Sequence, residues 1–187
     1  MATLSTLTLT ADGTVDSINL AAVGIGTGFW DRCNSTPDGG SSNYVHNISS
    51  VTATWTAWFA LTNVDADFSS MLTLNIDIDV LATGFANDTC TLQARIADGD
   101  ASSTWLTAAS NLADDTDTTR TQRNVSFASL TGSKAQWDAA HIQFSWNYTK
   151  ASGPDNANLR LFGLDIDGTY TPAAAGSVKQ LAALGVG

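Results

Sequence analysis

The nine residues Leu72 to Val80, LTLNIDIDV, alternate apolar and polar without exception. On a helix this pattern scatters the apolar side chains around the whole cylinder. On a strand it puts Leu72, Leu74, Ile76, Ile78 and Val80 on one face and Thr73, Asn75, Asp77 and Asp79 on the other. The stretch therefore predicts an antiparallel strand with one buried and one wet face. The period returns in HIQFSWNY, with Ile142, Phe144, Trp146 and Tyr148 inward and His141, Gln143, Ser145 and Asn147 outward. It returns again through Leu92, Ala94 and Ile96, and through Val125 and Phe127. In NLRLFGLDIDGTY it holds for Leu159 and Leu161, shifts at Phe162-Gly163, and resumes with Leu164 and Ile166, as a β-bulge would make it do.

Turn formers separate these runs at Asp38-Gly39-Gly40, Asp98-Gly99-Asp100, Asp114 to Thr118, and Gly153-Pro154-Asp155-Asn156. Every one of the 18 acidic residues is Asp and there is no Glu. Asp competes for backbone hydrogen bonds and favours turns, whereas Glu favours helices. The expected fold is all-β, an antiparallel β-sandwich of the jelly-roll kind. Only GSKAQWDAAH reads as helical, a short piece with Ser133 as its N-cap.

The 187 residues are expected to form one main domain. Residues 1–27 read as an N-terminal strand and linker arm, 28–171 as the sandwich, and 172–187 as a tail. Val178, Leu181 and Leu184 have helical spacing in that tail. With Leu7 and Leu9 they are candidate contacts to a neighbouring subunit, which predicts a homo-oligomer. MATLSTLTLT lacks the basic and apolar regions of a secretory leader, and no apolar run reaches the length of a membrane span. The expectation is synthesis in a cytoplasm, with no membrane partner and with Cys33 and Cys90 as reduced, packed thiols. A net charge of −10, from 8 basic and 18 acidic residues, disfavours nucleic acid as a partner.

The chain has no G-x-S-x-G, H-E-x-x-H, C-x-x-C or phosphate-cradling glycine loop. His46 and His141 read as rim histidines. Asp77 with Asp79, and Asp165 with Asp167, each put two carboxylates on one strand face, a pattern open to glycoside hydrolysis or Ca²⁺ binding. Their alternation with core residues instead predicts a solvated acidic face. The loop aspartates 98, 100 and 114 to 117 are the better calcium candidates, without EF-hand spacing. The expectation is no enzyme and no cofactor, with calcium left open. Of six tryptophans, Trp146 lies on a buried face, and Trp55 and Trp58, three apart, cannot both do so. Trp30, Trp58 and Trp105 remain as a possible platform for sugar rings, whose faces are apolar and whose edges carry hydroxyls.

Phe29-Trp30 through Tyr44-Val45, SMLTLNIDIDV, TLQARIAD, TGSKAQWDAAHIQFSW and NLRLFGLDIDGTY together resemble a jelly-roll domain of tailed-bacteriophage structural proteins. The likeness runs from about Gly28 to Thr171, with Gly39-Gly40-Ser41-Ser42-Asn43 where that family more often has an acidic D-D-T-T before the tyrosine. The resemblance implies a non-enzymatic virion protein that decorates the capsid or forms part of an appendage. Its partners would be other virion proteins, bound as a lattice through the chain ends. The alternative, from a different class, is a carbohydrate-binding module that recognises host surface glycans through exposed tryptophans.

Overall fold

A computed structural model describes residues 1–26, 28–33, 42–48, 51–85, 87–151 and 157–174. In chain order the elements are β1 (Ala2–Thr3), β2 (Leu9–Val15), β3 (Leu20–Val23), α1 (Phe29–Cys33), β4 (Tyr44–Asn47), β5 (Ala53–Leu61) and β6 (Phe68–Thr83). They continue with β7 (Thr89–Ala97), β8 (Ser110–Asp114), β9 (Thr121–Ala128), α2 (Lys134–Asp138), β10 (His141–Thr149) and β11 (Asn158–Pro172). One sheet runs β3-β4-β11-β6-β9, with β1 also on β11, and the other runs β2-β5-β10-β7-β8. The described strand pairs are all antiparallel. The two sheets face each other as a β-sandwich, as the alternation predicts.

The inward residues of both sheets fill the space between them. Leu74, Ile76 and Ile78 of β6 and Leu159, Leu161 and Ile166 of β11 join Phe59, Leu92, Ile142, Phe144 and Trp146 in one buried cluster. The Trp146 indole N–H donates to the Leu159 carbonyl at 2.9 Å, so a side chain of one sheet satisfies the backbone of the other. The register shift between Leu161 and Gly163 lies where the sequence places a bulge. Ser133 caps α2 in a reciprocal box with Gln136. Cys33 and Cys90 are free and buried. Burial raises both thiols, Cys90 to about 12, so each behaves as a small apolar group.

Several expectations change. Residues 1–26 are no separate arm: β1 pairs with β11, β2 with β5 and β3 with β4. Leu7 and Leu9, expected at a subunit contact, are only 1% and 2% exposed in the core, because an apolar strand beside an open sheet edge gains more by joining it. The other assembly candidates, Val178, Leu181 and Leu184, lie outside the described residues, as do the turns at Asp38-Gly39-Gly40 and Gly153 to Asn156. Leu72 is half-buried and Met71 takes the core position, where β6 and β11 lose register between Thr169 and Tyr170. The Phe29 corner forms the one-turn helix α1, whose cap comes from a distant residue. Asp12 of β2 accepts from the Phe29 and Trp30 amides at 2.9 and 2.6 Å.

Gly168 of β11 faces β6 so closely that a Cβ there would stand 2.2 Å from the Thr73 carbonyl oxygen. Gly168→Ala must push the two long strands apart, at about 1–3 kcal/mol by the usual cost of overpacking. Thermal unfolding of this variant should show a midpoint lowered by about 3–10 °C. An unchanged midpoint would mean that the β6–β11 contact is looser than described.

Candidate functional site

Strands β5, β10 and β7 pair without a break in register, so their outward side chains form straight rows. One row is Trp58, Gln143 and Arg95; the next is Thr56, Ser145 and Gln93; the third is Thr54, Asn147 and Thr91. All face away from the core because Trp55, Ala57 and Phe59, alternating with them on β5, face into it.

Trp58 is 5% exposed yet does not belong to the inter-sheet cluster. It is covered from the outside, and Trp105 does the covering. This residue follows β7 and is tied beside it by an antiparallel bridge to Ala97. The two indole rings stack with centroids 5.5 Å apart and planes 25° apart. The Arg95 guanidinium carbon lies 3.3 Å from the centroid of the Trp105 ring. Its Nε–H donates to Gln143 Oε1 at 2.7 Å, and Gln143 is itself buried. A partly desolvated cation on a tryptophan face contributes about 1–2 kcal/mol, enough to hold both side chains in place. Burial lowers the Arg95 pKa from its ordinary value.

A line of hydrogen bonds crosses the same face. The Thr54 hydroxyl donates to Asn147 Oδ1 at 2.8 Å, the Asn147 amide to Gln93 Oε1 at 2.9 Å, and the Gln93 amide to Asn111 Oδ1 at 2.7 Å. Each bond fixes the orientation of the next amide, and the line spans β5, β10, β7 and β8. Over it opens a cleft of about 200 Å³, lined by Thr54, Gln93, Arg95, Ala109, Ser145 and Asn147 among others, with no carboxylate among the described lining residues. The cleft thus offers amide and hydroxyl groups at fixed positions and one cation, and Arg95 connects it to the half-buried Trp105 ring.

Of the three candidate tryptophans the fold joins Trp58 and Trp105. Trp30, on α1, is half-buried and packs against the inter-sheet core. Gln93, Arg95, Gln143 and Asn147 were not singled out as site residues. Their signal was present, since polar residues alternate with core residues on β7 and β10, but nothing in the sequence says that these strands are neighbours of β5.

The outer face of the other sheet carries the paired aspartates. Asp79 departs from the expected solvated face: it is 1% exposed and meets the Arg120 guanidinium at 2.6 Å. Arg120 in turn lies 4.0 Å from the ring centroid of Phe162, the residue displaced by the bulge. Asp77 accepts from Asn124 and Asp167 from Asn75, both at 2.7 Å. Asp165 sits directly opposite Asp77. Burial, then Asp77, then Asp167 raise its pKa. The loop aspartates are engaged by protein groups: Asp98 by Ser102 and Gln136, Asp100 by Thr14, Asp114 by Thr116, and Asp117 by Arg123. Among the described residues, no three His, Cys, Asp or Glu side chains are grouped to hold a metal ion. His46 is half-buried against Tyr44, with ring centroids 5.3 Å apart, and burial and Arg160 lower its pKa. His141 is half-buried, its Nδ1 3.0 Å from the Ala139 carbonyl.

No family model matches this sequence, and no curated protein sequence does. Some solved structures are similar to it at low identity. One is the Clostridium thermocellum xylanase 10B fragment with CBM22-1 and GH10 modules, complexed with xylohexaose, at 12% identity and TM-score 0.41 over 86% of this chain. The match covers 28% of that structure's own length. Another is a cyclase from Fischerella sp. TAU, at 12% identity and TM-score 0.46 over 92% of this chain and 86% of that one. A third is the family 29 carbohydrate-binding module CBM29_1 from Piromyces equi, at 9% identity and TM-score 0.35 over 90% and 93% of the two chains. The likeness is one of β-sandwich architecture.

The raised Asp165 pKa fixes the sign of its effect on stability. The fold gains from Asp165 below the ordinary carboxylate range and loses that gain as pH rises through the raised value. Asp165→Asn should therefore raise the unfolding midpoint at pH 7 by about 1–2 °C, for about 0.5 kcal/mol of like-charge repulsion relieved across the strands. At pH 3 the difference should shrink. Calorimetry at both pH values checks this, and a lower midpoint at pH 7 would mean that the Asp165 carboxylate has a favourable partner.

Proposed function

We propose that this chain is a carbohydrate-binding module whose ligand lies in the cleft over β5, β10 and β7, beside Trp105. The observation that carries the reading is a stacked Trp58–Trp105 pair on the same sheet face as a hydrogen-bonded line of amides and hydroxyls. A pyranose ring presents C–H groups on its faces and hydroxyls around its edge. An indole beside fixed amides complements both. Amides and hydroxyls, with Arg95, line the cleft, and a net charge of −10 works against a nucleic acid strand.

The site is largely made before the ligand arrives. Trp105 is held by Trp58 and Arg95, and the amides by one another, so binding orders few side chains. With one stacking surface and a few hydrogen bonds, each worth about 0.5–1.5 kcal/mol net, the dissociation constant should fall between about 10 μM and 1 mM.

The virion expectation drew on the jelly-roll resemblance and on two apolar chain ends, of which the N-terminal one is part of the core. The cleft favours glycan recognition over lattice binding as the primary role. The two are compatible, because a virion component that holds a host glycan would use the same cleft.

Isothermal titration and tryptophan fluorescence against a panel of neutral and acidic oligosaccharides test the reading. At least one sugar should give a saturable signal that Trp105→Ala weakens about tenfold or more, the loss of roughly one stacking contact. Trp30→Ala, with its fold confirmed by circular dichroism, should bind as the parent does. Flat titrations across the panel, or binding that survives loss of Trp105, would overturn the proposal.

A further inference from the structure

We propose that the saccharide held in this cleft is acidic, a mostly neutral oligosaccharide carrying one carboxylate, and that Arg95 is the residue that binds the carboxylate. The inference rests on the glycan-binding reading and names the class of sugar.

The distribution of cations is the first argument. In a chain with 18 acidic and 8 basic residues, a cation should find an aspartate, and Arg120, Arg123, Lys134 and Lys150 do so at Asp79, Asp117, Asp138 and Asp88. Arg95 does not. It is fixed by the Trp105 ring and by one hydrogen bond from Nε to Gln143, and among the described residues its two terminal nitrogens have no hydrogen-bond or ion-pair partner. These nitrogens belong to a side chain lining the cleft, where no carboxylate competes for them. A guanidinium with its stem and Nε immobilised has already lost much of the freedom that a bidentate carboxylate contact would cost.

The second argument concerns how much negative charge the ligand can carry. Among the described residues Arg95 is the only charged one lining the cleft, and the chain has a net charge of −10. A single carboxylate seated against Arg95 meets its partner at contact distance. The excess acidic charge, with Asp77, Asp165 and Asp167 on the other sheet, is attenuated over a screening length of about 8 Å at physiological salt. A polyuronate with a charge on every ring would carry all but one of its carboxylates past Arg95, with no second cation among the described lining residues to meet them. The geometry points to sparse acidity: a neutral backbone with a uronate branch, or a neutral glycan ending in a sialic acid.

The test uses the full chain and matched probes. Xylotriose bearing one glucuronate and sialyllactose are titrated calorimetrically beside their carboxyl-reduced forms, with hexagalacturonate as the polyanion. At least one acid should bind about tenfold or more tightly than its reduced partner, by a margin that narrows between 20 and 500 mM salt, and hexagalacturonate should bind less tightly than that acid. Arg95→Gln should bring the acid down to the affinity of its reduced form. Arg95→Lys, which keeps the charge without the planar fork, should fall between them and stands in if the glutamine variant fails to fold. Reduced forms that bind as well as the acids, or a preference that persists in the folded Arg95→Gln protein, would overturn the acidic assignment and leave glycan binding standing. Tightest binding of hexagalacturonate would overturn the single-carboxylate part. The absence of binding by these probes and by every member of the wider panel would overturn the glycan reading and this inference with it.

Discussion

β6 and β11 run side by side from the Asn158–Thr83 pair to the Pro172–Phe68 pair, and the rest of one sheet is arranged to complete this ladder. Each strand leaves a second edge of backbone donors and acceptors that must be satisfied. β9 takes the edge of β6. The edge of β11 is divided, with β4 on its first part and the N-terminal residues on its last, where Leu4 and Leu7 donate to Gly168 and Ile166 at 2.9 and 2.8 Å. That division draws the N-terminal segment into the sandwich and buries Leu4 and Leu7. The bulge at Phe162-Gly163 keeps Leu159 and Leu161, then Leu164 and Ile166, facing inward on either side of it. Phe162 is set apart from the inter-sheet cluster and is covered by Arg120, which holds the buried Asp79.

In the second sheet the core fixes the site. Phe59, Ile142 and Ile96 occupy one inward row, and Ala57, Phe144 and Ala94 the next. A slip by one residue would expose these side chains and bury Thr56, Ser145 and Gln93 in their place. The outward rows are therefore as well determined as the inward ones, although no apolar packing acts on most of them. Polar groups on a register-locked sheet hold their spacing, which is what recognition of a small rigid ligand requires.

The two outer faces have different electrostatic characters. The β6–β11 face carries Asp77, Asp79, Asp165 and Asp167, and its repulsions are relieved by Asn75, Asn124 and Arg120. Among the described residues the cleft on the opposite sheet is lined by one arginine and no carboxylate. The sandwich keeps a strongly acidic surface for solubility while presenting a locally positive cleft, and the screening length sets how independently the two act.

The sequence by itself determined the alternating strands and most of their inward residues, the bulge at Gly163, the Ser133 cap and the need for one of Trp55 and Trp58 to face outward. Each depends on spacing of a few residues along one chain segment, where alternation between core and solvent is a direct physical constraint. Only the tertiary structure decided which strands are neighbours. It brought Arg95 and Gln143 into the row of Trp58, laid Trp105 over that row from a loop, capped α1 with Asp12, and placed Arg120 on an aspartate that alternation assigned to water. These outcomes depend on pairings between residues tens of positions apart, set by how two whole sheets close on a shared core, and a period of two along the chain carries no information about them.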